Sequence, residues 1–384
     1  MSVYGEGTNE PQGAPIGDRN MKRAIETTST PRAILARAVT AQGQNTDAAG
    51  IRNDPMRRFV PTPYSADLPV MRSTVRLETN SSKLLEHMIE LFTRYPGEPT
   101  ARPQFVWRIV VDADVRCGPP WPRRSTFSDG GLRFAQFGER NFLAVDIDAR
   151  EAIAFVAEGL LEDAPGFTSP FIDTLFYMTA GSLGLVPFAA ACVSSGMKGL
   201  LVLGPPNQGK TTASYLAVRG GLTYHADQSV FLEVADHELR AWGDFVPIAF
   251  RPETLQFLPE LSSRTLPFSY CDFNFYYMAK DKPDSEQLGF VIPSCCVVLE
   301  RESSTVPRLS RIAKTELSTV LAKYIAFKDD DRFEEQRLAV LAALGQLPAY
   351  HLAYDSDPAN ATPYLRYLLN GHDPQGSSRS DGCS

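Results

Sequence analysis

The sequence predicts an α/β protein with a nucleotide-binding core in its second half, preceded by an α+β N-terminal region. Three observations carry this. An apolar, strand-like run, Gly199 to Leu203, leads directly into Gly204-Pro205-Pro206-Asn207-Gln208-Gly209-Lys210-Thr211, which fits the pattern G-x-x-x-x-G-K-[ST]. A helix-like segment from Lys210 to Val218 follows and stops at Gly220-Gly221. Strand-like and helix-like runs alternate around this unit, as in domains that layer helices on a sheet.

The bulk numbers are compatible with that class. The chain has 384 residues, of which 43% are hydrophobic and 22% charged, the balance of a soluble globular protein. A formal charge of −7 argues against a nucleic-acid partner. The six cysteines form no CxxC pair and share no metal-ligand spacing with the five histidines, so structural zinc is not expected. The N-terminus is polar and acidic at Glu6 and Glu10, and no apolar run approaches the roughly 20 residues of a membrane span. No membrane partner and a cytoplasmic location are expected; self-association into a homo-oligomer stays open.

Taken in order, residues 1–68 are rich in Gly, Pro, Ser, Thr and Asn and read as a disordered tail, with one amphipathic stretch at Ala33 to Val39. Residues 69–187 form the α+β region. A strand at Val75 to Glu78 precedes a helix at Ser81 to Tyr95, where Leu84, Leu85, Met88, Leu91 and Phe92 share a face. Strands are expected at Phe105 to Asp112, Leu132 to Gln136 and Phe142 to Asp146, then an apolar helix at Thr168 to Leu183. The core, residues 188–371, should hold strands at Phe188 to Val193, Gly199 to Leu203, Leu222 to Ala226, Val230 to Val234, Phe245 to Phe250, Val291 to Leu299 and Tyr350 to Tyr354. Thr315 to Leu344 reads as mostly helical, Thr362 to Leu369 as a terminal helix, and residues 372–384 as a loose tail.

In the glycine-rich motif, glycine flexibility lets successive backbone N–H groups wrap a phosphate chain, with positive potential added by the helix N-terminus beneath. Lys210 would reach the β- and γ-phosphates, the Thr211 hydroxyl would ligate Mg²⁺, and Thr212 would lie near the α-phosphate. Asp227 closes an apolar strand 17 positions after Lys210. Strand ends in a parallel sheet share one edge, so Asp227 falls beside the loop, as a Mg²⁺ ligand or as a general base. Asp227 taken alone would read as a turn cap. His225 alternates with Asp227 on the strand, Gln228 would orient a water or phosphate oxygen, and Arg251 would stabilise transition-state charge or pair at the surface with Glu253. The acidic run at 329–331 reads as a solvated helix break.

The run from Phe188 to Val234 resembles the catalytic core of the HPr kinase/phosphorylase superfamily, whose fold is related to that of phosphoenolpyruvate carboxykinase. The matching pieces are Phe188 to Val193, Gly199 to Thr212, Arg219-Gly220-Gly221, and Tyr224-His225-Ala226-Asp227-Gln228. Three departures stand out: Phe188 occupies the family's histidine position, Gln228 the second Asp of its Asp-Asp pair, and the E-x-R-G signature of the bifunctional enzyme is missing. The resemblance implies an ATP- and Mg²⁺-dependent kinase that transfers the γ-phosphoryl group to a hydroxyl, expected to be Ser, of a protein, peptide or small molecule. Lys210 and Asp227 would be its catalytic residues, and phosphorolysis is not expected. The alternative is a nucleotide-binding regulatory or assembly module that transfers nothing.

Overall fold

In a computed structural model, residues 60–92, 95, 102–112, 118–119, 121–270, 273–278, 289–302, 306–326, 331–355 and 357–370 are described. The amphipathic stretch at Ala33 to Val39 and the tail at 372–384 lie outside them.

The N-terminal part is a seven-stranded sheet of β1 (Tyr64–Val70), β2 (Ser73–Thr79), β3 (Phe105–Asp112), β4 (Ser125–Asp129), β5 (Leu132–Phe137), β6 (Asn141–Asp146) and β7 (Glu151–Ala157), ordered β1-β2-β3-β7-β6-β5-β4. The central β2-β3-β7 pairs are parallel and the flanking pairs antiparallel. Helix α1 (Ser82–Phe92) buries Leu84, Met88, Leu91 and Phe92, the face its spacing predicts. Phe92 meets Trp107, Phe176 and Phe245 in one aromatic cluster. Part of that cluster lies beyond the sheet, so the two halves of the chain share a core.

Two expectations need correction in this half. β1 begins at Tyr64, inside the stretch read as tail, because Leu68 and Val70 are buried on the core; Pro69 is tolerated there because β1 is an edge strand. The apolar helix expected at Thr168 to Leu183 is a succession of shorter pieces. A π-turn at Phe167–Ile172 contains Pro170, which lacks the N–H needed for regular helix, and α2 (Asp173–Ala180) follows it.

The second half is a nine-stranded sheet. Its strands are β8 (Val186–Phe188), β9 (Ala191–Ser195), β10 (Lys198–Leu203), β11 (Thr223–Ala226), β12 (Val230–Ala235), β13 (Glu238–Trp242), β17 (Phe290–Arg301), β18 (Arg308–Arg311) and β19 (Ala349–Tyr354). A three-stranded sheet of β14 (Ala249–Phe250), β15 (Thr265–Tyr270) and β16 (Phe273–Met278) sits beside it. Helix α3 (Lys210–Arg219) links β10 to β11. Helices α4 (Lys314–Ala322), α5 (Glu334–Leu344) and α6 (Thr362–Asn370) complete the half.

The strand expected over Phe188 to Val193 divides. β8 pairs with β12, whereas β9 runs between β10 and β11. The run Phe245 to Phe250 is strand only at Ala249–Phe250, because the Asp244 carboxylate takes the Val246 N–H (3.0 Å) and Pro247 has none to offer a ladder. Thr315 to Leu344 holds two helices, α4 and α5; between them the described residues include a bridge at Ile325 and a 3₁₀ turn at Asp331–Phe333, and residues 327–330, with Asp329 and Asp330 of the acidic run, lie outside the described set.

Candidate functional site

Two glycines fix the loop after β10. Gly204 has φ +142, and a Cβ there would lie 2.7 Å from the Leu299 carbonyl oxygen. Gly209 has φ +77, and a Cβ there would lie 2.5 Å from the Tyr354 hydroxyl. Both positions exclude other residues on backbone and space together. Asn207 is also left-handed, at φ 68, a conformation its short amide tolerates. Pro205, Pro206 and Asn207 are exposed, and Gln208, Gly209 and Lys210 are half-buried. The Lys210 ammonium turns back on its own loop, donating to Gly204 O (2.7 Å) and Pro205 O (3.0 Å). Burial lowers the Lys210 pKa, and the nearby Asp227 carboxylate partly offsets this.

Asp227 reaches the loop by a different strand arrangement from the one the sequence implies. β11 pairs antiparallel with β9, and β9 antiparallel with β10, so β10 and β11 run the same way without being neighbours. Their carboxyl ends still share an edge. The Thr211 hydroxyl donates to Asp227 Oδ2 at 3.1 Å, closing the gap between loop helix and strand end. Asp227 is 4% exposed, and its Oδ1 has no hydrogen-bond partner among the described residues. Burial pushes its carboxyl up to about 6; the Thr211 hydroxyl and the Lys210 charge restrain the rise, and the Asp244 carboxylate adds to it. Asp244 is buried as well and donates its backbone N–H to His225 O at 3.1 Å.

The remaining expected residues divide sharply. His225 is buried with Nε2 against Ser194 Oγ at 2.8 Å, so one ring nitrogen is committed to β9. Gln228 is half-buried with Oε1 unpartnered among the described residues. Thr212 is buried on α3. Arg251 is exposed at the N-cap of the short helix Pro252–Phe257, with Glu253 exposed in its first turn. Phe188 is fully buried, pairs with Val230 and Ile325, and packs edge-on against Tyr324. It is a core residue, with no group that could carry a proton.

Thr211 and Asp227 offer a hydroxyl and a carboxylate within one hydrogen bond, hard oxygen donors of the kind a small divalent cation takes when phosphate and water complete its shell. Among the described residues no group of three or more His, Cys, Asp and Glu side chains converges as a protein-only metal site.

Sequence reasoning missed the far wall of the loop. Arg301 ends β17 and Tyr354 ends β19, and the parallel register sets them side by side. The Arg301 backbone N–H donates to Gln208 Oε1 at 2.5 Å, and the Tyr354 hydroxyl donates to Gln208 O. No local pattern marks either residue; only the strand pairing, some 90 to 150 positions downstream of the loop, brings them there.

Comparison with known proteins adds a structural likeness. No protein-family model matches the chain, and no curated protein matches it. Among solved structures, the Hpr(Ser) kinase/phosphatase from Coxiella burnetii aligns with 48% of this chain and 89% of its own, at 12% identity and a TM-score of 0.27. Among the described residues no helix is long and apolar enough to cross a membrane.

Proposed function

We propose that this chain is an ATP-dependent kinase transferring the γ-phosphoryl group to a hydroxyl, with serine of a protein or peptide as the leading acceptor. The contact between Thr211 Oγ1 and Asp227 Oδ2 carries the reading, because it joins the two functional ends of the motif at one point. In support, Lys210 lies on the loop at the start of α3, and Asp227 keeps one buried oxygen unpartnered.

Lys210 exchanges its bonds to Gly204 O and Pro205 O for the β- and γ-phosphate oxygens. Backbone N–H groups of the loop and of the first turn of α3 hold the phosphate chain in line with the acceptor. Asp227, with a pKa near 6, is mostly ionised at pH 7, and its free oxygen takes the proton from the acceptor hydroxyl as that oxygen attacks phosphorus. ADP leaves. Mg²⁺ held by Thr211 and Asp227 would neutralise charge on the phosphate oxygens. Phe188 provides no proton shuttle for the reverse attack by inorganic phosphate, so phosphorolysis is not part of the proposal.

Incubation with γ-labelled ATP and a panel of hydroxyl-bearing proteins, peptides and small molecules tests this by separating transfer, hydrolysis and retention. Label in an acceptor is expected. Tight retention of ATP with no transfer across the panel would establish the regulatory module instead.

A further inference from the structure

Arg301 stands apart from Arg308 at this sheet edge. It is exposed, and no carboxylate lies within ion-pair distance of it among the described residues. Its neighbour Glu302 turns to Arg308 (3.7 Å). Arg301 instead donates to the neutral hydroxyl of Tyr354, which in turn donates to Gln208 O. Its Nη2 lies 3.0 Å from where a Cβ on Gly209 would be, so the guanidinium rests directly against the glycine before Lys210. β17 extends past the end of β10, whose Leu203 is level with Val298, and this overhang carries Arg301 alongside the loop. Ligands of open α/β sheets gather at such carboxyl edges. A guanidinium fixed by a neutral partner keeps its full charge and its remaining donors for an anion.

We propose that Arg301 is a phosphate-binding residue of this site, contacting the phosphate chain of the bound nucleoside triphosphate from the β17 side of the loop while Lys210 contacts it from within. This rests on the nucleotide-binding reading above. Tyr354 and Gln208 are then positioning residues, holding the guanidinium and the loop in one frame before the ligand arrives.

The test is a binding titration with ATP and with inorganic tripolyphosphate, which offers the chain without base or ribose. Wild type, Arg301→Ala, Arg301→Lys and Tyr354→Phe are compared over a series of salt concentrations, with melting temperatures measured without ligand. Arg301→Ala is expected to weaken both ligands by about tenfold or more, the worth of a charged hydrogen-bond pair, and to flatten the salt dependence. Arg301→Lys should recover part of the loss, and Tyr354→Phe should stay within about threefold of wild type. Unchanged affinity in Arg301→Ala overturns the inference. So does a loss confined to ATP, which places Arg301 at the nucleoside. Equal losses in Arg301→Ala and Tyr354→Phe, with lowered melting temperature and unaltered salt dependence, reduce Arg301 to a brace and also overturn it. Failure of the wild type to bind ATP would remove the kinase reading itself, a result distinct from all of these.

Discussion

On the seven-stranded sheet the half-buried charged side chains of β1 to β3 pair with one another, whereas at the loop edge of the nine-stranded sheet several buried polar atoms have no partner among the described residues. On the first, Arg76 grips Asp67 through two hydrogen bonds of 2.8 and 2.9 Å, and Arg108 holds Glu78. Asn80 exchanges both of its amide bonds with the backbone of Val111. Trp107 Nε1 is an exception. At the second, Asp227 Oδ1, Gln228 Oε1 and Ser214 Oγ are without partners among the described residues, all within one loop, helix and strand end. A buried polar atom left unpaired costs roughly 1–3 kcal/mol. The first region satisfies these polar groups from within; the second holds polar groups that a ligand would satisfy, as functional sites do.

The contrast can be broken most forcefully at Lys210. Lys210→Ala should abolish turnover and weaken ATP binding, while circular dichroism and melting temperature stay close to wild type; full binding in this variant would remove the loop from the site. A substitution in the other region should do the reverse. Phe92 is fully buried among Trp107, Phe176 and Phe245, and Phe92→Ala should cost about 3–5 kcal/mol in denaturant unfolding. ATP affinity of the fraction that remains folded should hold; a selective loss of affinity would show the regions to be coupled.

Asp227→Asn sharpens the comparison because activity and stability should move in opposite directions. Transfer should fall by about 10²-fold or more with ATP binding retained. Stability at pH 7 should rise, since the carboxyl is held near 6 against its ordinary 3.8, worth roughly 3 kcal/mol at 1.36 kcal/mol per unit. The pH dependence follows from the same shift. A folded-state pKa above the unfolded one favours the fold fully below about pH 4, and that advantage is lost as pH rises through about 6. The stability gap between wild type and Asp227→Asn should therefore open between pH 4 and 6 and stay level above it. A gap already present at pH 3, or growing above pH 7, would assign it to another group.

Much of the candidate site was legible because its signal is local. The spacing of Gly204, Gly209, Lys210 and Thr211 states the loop in eight residues, and an apolar strand ending in Asp227 states the rest. The partners Arg301 and Tyr354 were illegible for the opposite reason, since they belong to the site only through a parallel register between distant strands. In the fold, α1 was plain from its apolar face, but β4 (STFSD) is exposed at all five positions and so carries no alternation to read. β7 (EAIAFVA) does alternate, though with small alanines that blur the pattern. The hairpin strand β13 and the three-stranded sheet depend on aromatic and Pro-containing runs whose pairing is decided in three dimensions.

The twelve residues of β17 border β10 on one side and, on the other, β13 near their start and β19 near their end. The strand is thus laced into the sheet over most of its length, and Cys296, Val297 and Leu299 in its middle are fully buried. Amide protons there can meet solvent only when the sheet itself opens. In hydrogen exchange they should be among the last to leave, at rates set by global unfolding, while that of Asn207 in the exposed part of the loop exchanges early. The loop that would hold phosphate is therefore braced, through Gln208, on the strand last to open.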